Sequence, residues 1–150
     1  MYKKILLGID ISDVSMKAAE YVIALQKKFS SETVIFHSAL HHLNGNPPNL
    51  GYGYNTTAIT FTPQENDVDL GRSLLKDIEE LFRQNELYVE TRLIFDISPE
   101  EYIKKQVEEE NFNLVVLGYH GTHSVLGSVL LGSVPNKVIN HVQCDVLIVK

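Results

Sequence analysis

The segment GYHGTHSVLGSVLLGSVPNKV at residues 118–138 gathers residue types that can hold an anion: four glycines and four serine or threonine hydroxyls, on Thr122, Ser124, Ser128 and Ser133. It directly follows Leu114, Val115, Val116 and Leu117, an apolar run that reads as a buried strand. Glycine has no Cβ to keep a phosphate oxygen away from the backbone, and successive amides in a turn form an anion-binding concavity. Ser133 opens a helical pattern, and the first N–H groups and dipole of a helix favour negative charge. Gly118, Gly121, Gly127 and Gly132 are more glycines than one strand-to-helix turn requires, so the cluster points to a phosphate-bearing ligand. A helix start contributes only about 0.3–1 kcal/mol toward an exposed charge, whereas micromolar binding needs roughly 8 kcal/mol. A base and a ribose must add contacts.

Other chemistry-bearing residues are less specific. Asp10 ends the first apolar run and, taken alone, reads equally well as a cap for the following helix. His37, His41 and His42 lie at or beyond the second strand, His120 and His123 lie in the glycine segment, and His141 ends a helix, without a recognised metal-ligand spacing. No metal ligand is assigned. His120 and His123 line the phosphate segment or face solvent, and titration near about 6.5 would let them tune phosphate affinity. The sequence holds no Walker lysine motif and no Gly-x-Ser-x-Gly elbow, and Cys144 opens the last strand as a buried residue, so no catalytic residue is assigned. Slow hydrolysis of a bound phosphate compound by positioning and a metal ion is the enzymatic alternative. GYGYNT at Gly51 lacks a preceding strand and a following helix, so it is no dinucleotide fingerprint.

The elements that would position these residues alternate along the chain. Ile5–Ile9 forms a short continuous apolar strand, and Ala18, Ala19, Val22, Leu25 and Phe29 then recur at helical spacing beyond Ser12 and Asp13. Val34–Phe36 reads as strand two. Thr62, Pro63 and Glu65 form a capping box for a helix whose apolar stripe is Leu74, Leu75, Ile78, Leu81 and Phe82. The alternating YVETRLIF is strand three, and Ser98, Pro99 and Glu101 repeat the capping device. After strand four at Leu114–Leu117, a helix runs over Val134–Val142 and DVLIVK at 145–150 is strand five. Residues 41–61 form the one long irregular stretch, a lid or a linker.

Five strands interleaved with helices predict an α/β fold: a single-domain, open five-stranded parallel sheet with helices on both faces. At 150 residues one domain is expected. A net charge of −6, with 13 basic residues against 19 acidic and no basic run, argues against nucleic acid as a partner. No window reaches the roughly 18–20 apolar residues of a membrane helix, and the apolar start is too short for a signal peptide. With a single cysteine, the expectation is a cytoplasmic protein.

ILLGID, LVVLGYHG and LLGSVPNKVINHVQCDVLIV, in this order over nearly the whole chain, resemble the universal stress protein family. The resemblance makes residues 1–150 one universal stress protein domain with a Rossmann-like, adenine nucleotide alpha hydrolase-like fold. The nucleotide-binding branch of that family carries Gly-x2-Gly-x9-Gly-(Ser/Thr) after strand four and an Asp after strand one. By that resemblance Asp10 meets the adenine and ribose end, and Ser38 lies beside the base. Gly118 and Gly121 wrap the phosphates, with His120 between them, and Gly132, Ser133 and Val134 hold them from the helix start. The implied ligand is ATP with a divalent cation, Mg or Mn. A homodimer through strand five and a role as a nucleotide-responsive regulator in stress response with a protein partner are also implied. The rival is a nucleotide-free member acting by protein contacts. One departure stands out: ten residues, THSVLGSVLL, separate Gly121 from Gly132, one more than the pattern has. In a helix one extra residue rotates every later residue by about 100°, so it must be absorbed in a loop or bulge, and Gly127 is a place for it.

Overall fold

The computed structural model describes residues 1–39, 65–119 and 131–150. In chain order the elements are β1 (Lys4–Ile9), α1 (Asp13–Phe29), β2 (Glu32–Ser38), α2 (Glu65–Gln84), β3 (Glu90–Ile94), α3 (Pro99–Glu110), β4 (Leu114–Gly118), α4 (Ser133–His141) and β5 (Asp145–Val149). The strands form one parallel sheet in the order β3-β2-β1-β4-β5. This is the expected Rossmann-like architecture, with boundaries shifted by one or two residues.

The strand alternation sends side chains into two separate cores. Ile5 and Leu7 of β1 join Ala18, Val22, Ile78 and Phe82 under α1 and α2, whereas Leu6 joins Ile103, Val107 and Val138 under α3 and α4. Ile5, Leu6 and Leu7 are fully buried because β1 is central and covered on both faces. Gly8 is required by packing: a Cβ there would stand 2.7 Å from Leu117 Cδ2 and 3.1 Å from the Phe36 ring.

A local signal accounts for the start of α3. At α3, Ser98 Oγ accepts the Glu101 N–H at 3.4 Å and Pro99 takes the first turn, as the sequence predicts. The box is not reciprocal in the usual sense, since Ser98 Oγ also donates to Glu101 Oε2 at 3.2 Å. The Thr62 and Pro63 cap of α2 lies outside the described residues, as does the stretch 41–61. Cys144 precedes β5 and is half-buried rather than fully buried. It sits beside an edge strand with nothing described beyond it, and partial burial pushes its thiol pKa up. Among the described residues, no helix is long and apolar enough to cross a membrane.

Candidate functional site

The sheet order reverses between β1 and β4. From β1 the chain steps outward through β2 to β3, then returns to the other side of β1 for β4 and β5. Such a switch point opens a crevice beyond the carboxyl ends of the two strands, because their following segments leave in opposite directions. The β1–β4 ladder runs as far as Leu7 opposite Val116, and beyond it the strand ends lead to Asp10 and to Gly118.

Asp10 organises the start of α1. Its Oδ1 accepts the Ser12 N–H at 2.9 Å, the Ser15 hydroxyl at 2.8 Å and the Ser12 hydroxyl, while the Asp10 N–H donates to Ser15 Oγ at 2.8 Å. The nominal N-cap, Ser12, makes no side-chain cap bond, so Asp10 performs the local task that its capping reading predicts. That task uses one oxygen. Oδ2 of the half-buried carboxylate has no partner among the described residues and remains able to accept hydroxyls from a ligand.

Across the crevice, two backbone bonds hold Tyr119. Tyr119 N–H donates to Val149 O at 2.7 Å, and Gly132 N–H donates to Tyr119 O at 2.9 Å. Tyr119 therefore joins the end of β4 to the start of α4, and Gly118 and Gly132 become neighbours of one residue. Gly132 has φ −58° and ψ 160°, which any residue adopts, and no side chain caps α4. What glycine contributes at this position is the missing Cβ. The first turn of α4 carries the N–H groups of Ser133 and Val134, with none from Pro135, before Asn136 N–H returns to Gly132 O at 3.1 Å.

The predicted residues thus fall into three groups. Gly118, Gly132, Ser133 and Val134 converge on the Tyr119 junction. Asp10 stands at the end of the adjacent central strand, and Ser38 ends β2 one strand further out, opposite Ile94 of β3. His120 and Gly121 lie outside the described residues, together with the extra residue of the glycine segment. Among the described residues no three of His, Cys, Asp and Glu come together as a metal would require.

The roles of Ser12, Ser15 and Tyr119 go beyond what motif spacing suggests. The Asp10–Ser12–Ser15 spacing, acid followed by hydroxyls two and five residues later, is a usable signal for the hydroxyl-bridged turn. Tyr119 acts through its backbone, which leaves no trace in residue type. His37 is a fourth: its Nδ1–H donates to Ile9 O at 2.9 Å, holding the end of β1 immediately before Asp10.

Comparison with known proteins supports this reading of the fold. The chain is 31% identical to the Universal stress protein Sll1388 of Synechocystis over 99% of this chain and 98% of that one. The universal stress protein from Archaeoglobus fulgidus in complex with dAMP superimposes with a TM-score of 0.69 at 16% identity, covering 99% of this chain and 98% of that one. A universal stress protein in complex with cAMP superimposes with a TM-score of 0.66 at 20% identity, covering 98% of this chain and 95% of that one. The model of the Universal stress protein family matches residues 1–150, and the chain belongs to that family.

Proposed function

We propose that this protein binds an adenine nucleotide, ATP with Mg or Mn, in the crevice between the carboxyl ends of β1 and β4, and acts as a nucleotide-responsive regulator in the cytoplasm. The observation that carries the reading is the Gly132 N–H to Tyr119 O bond, which joins Gly118 to an uncapped helix start at the sheet's switch point. Gly132, Ser133 and Val134 supply unhindered amides and a hydroxyl for phosphate oxygens, with Gly118 lining the opposite side and the intervening His120 and Gly121 completing the cradle. Asp10 Oδ2 accepts ribose hydroxyls, and Ser38 lies toward the base. The divalent cation arrives with the phosphates, in keeping with the reluctance of Mg to shed its water for an all-protein cage. Two structural relatives hold dAMP and cAMP, which share the adenine and phosphate that these groups would recognise.

The test is calorimetric titration of nucleotide-stripped protein with MgATP. Saturable binding is expected in the wild type, weakened at least about tenfold in Gly132→Val, whose backbone angles accept valine without strain. Folded wild-type protein that gives no binding overturns the reading.

A further inference from the structure

Between residues 118 and 138 Lys137 is the single lysine or arginine, and Glu100 engages its ammonium at 2.5 Å from α3. A polyphosphate cradled there would meet amide dipoles but little full positive charge from the segment itself. The register of β4 with β5 brings a cation from elsewhere. Gly118 stands opposite Val149, so Lys150 follows one residue beyond the partner of Gly118, beside Tyr119. Leu117 and Ile148 both pack in the core under α3 and α4, and strand alternation therefore turns Tyr119 and Lys150 toward that same face, the face that α4 covers. There Lys150 Nζ lies 4.8 Å from the centroid of the Tyr119 ring. Tyr119 is the residue whose N–H and carbonyl are fixed by Val149 and Gly132, so the ring that steadies the ammonium belongs to the junction of both halves of the cradle.

Two further features keep that charge available. Contact with an aromatic face orients a cation without neutralising it. Lys150 forms no ion pair among the described residues, and the acid of its own strand, Asp145, lies at the far end, where it accepts the Tyr2 hydroxyl at 3.1 Å. From the other face of the sheet Lys17 Nζ of α1 donates to the Lys150 main-chain oxygen at 2.5 Å, tethering the backbone at the same strand end.

Resting on the nucleotide reading above, we infer that Lys150 is a phosphate-binding residue that grips the charged end of the nucleotide from the β5 side. It discriminates nucleotides from the uncharged nucleoside, and Tyr119 positions it.

The experiment measures MgATP and adenosine affinities of the wild type, Lys150→Gln and Lys150→Arg. Lys150→Gln is expected to weaken MgATP about threefold to tenfold, leave adenosine unchanged and flatten the salt dependence of MgATP binding, while Lys150→Arg keeps wild-type behaviour. Unchanged MgATP affinity in Lys150→Gln, or an equal loss for both ligands, overturns the inference and leaves the nucleotide site standing. A wild type that binds neither ligand overturns the nucleotide reading itself.

Discussion

Individual residues divide between those that shape the backbone and those that leave room. Ser30 and Asn111, at φ 54° and 57°, close α1 and α3 in the left-handed conformation where glycine is the common choice, whereas Gly132 occupies an ordinary φ of −58°. On the proposed function glycine at 132 serves access, and the valine variant separates access from folding: its melting temperature should match the wild type while nucleotide affinity falls. Asp10→Ala should do both kinds of damage. Removing Oδ1 releases the Ser12 N–H and two hydroxyls at a cost of about 1 kcal/mol, read by denaturant unfolding, and removing Oδ2 weakens MgATP in the same titration. Away from the site, Glu110 is held at a pKa of about 2, first by its bond to Arg92 and then by Lys4. Its folded pKa lies below the ordinary carboxylate value, so the stabilisation is present above about pH 4.5 and is lost as pH falls toward 2. Glu110→Gln should therefore lower stability by about 1–2 kcal/mol at pH 7, and the difference should close between pH 4.5 and 2 in thermal melts followed by circular dichroism.

At the scale of elements, the ends of the central strand are set by close approaches. Gly71 lies inside α2, where glycine costs about 1 kcal/mol relative to alanine, yet a Cβ there would stand 2.7 Å from His37 Cδ2 and 2.8 Å from Leu93 Cδ1. His37 cannot retreat freely because its Nδ1–H holds Ile9 O. Gly71→Ala should accordingly destabilise the protein by about 1–2 kcal/mol despite the better helix former, and a more stable variant in urea unfolding would show that His37 yields without cost. The disturbance would travel one residue beyond Ile9 to Asp10, so MgATP affinity should fall with it. The strap at Tyr119 works at the same scale. It ties Tyr119, at the end of β4, to Gly132, at the start of α4.

For the molecule as a whole, β3 and β5 are the sheet edges. β5 presents Val146, Leu147 and Ile148 only partly buried, an apolar edge that is a liability unless something pairs with it. The homodimer through strand five that the family resemblance implies would cover it, and equilibrium sedimentation should then give twice the chain mass at micromolar concentration; a monomer throughout would overturn that expectation. Because Lys150, beside Tyr119, directly follows β5, dimer formation and nucleotide binding are expected to stabilise each other, visible as a higher melting temperature at greater protein concentration when MgATP is present.

The sequence by itself determined the alternation of strands and helices, the caps at Ser98 and Pro99, the doubly buried β1 and the position of the glycine segment after β4. Each of these is written in local periodicity or in the conformational preferences of single residues, which need no distant partner. It also pointed to Asp10, through residue type and place. Only the tertiary structure decided that one Asp10 oxygen is already engaged by Ser12 and Ser15, that the Tyr119 backbone ties the end of β4 to the start of α4, and that Gly71 makes room for His37. It likewise brought Lys150 to the Tyr119 ring. These depend on strand order and register, and in a parallel sheet every neighbour comes from a crossover far away in the chain, so residue type and spacing cannot report them.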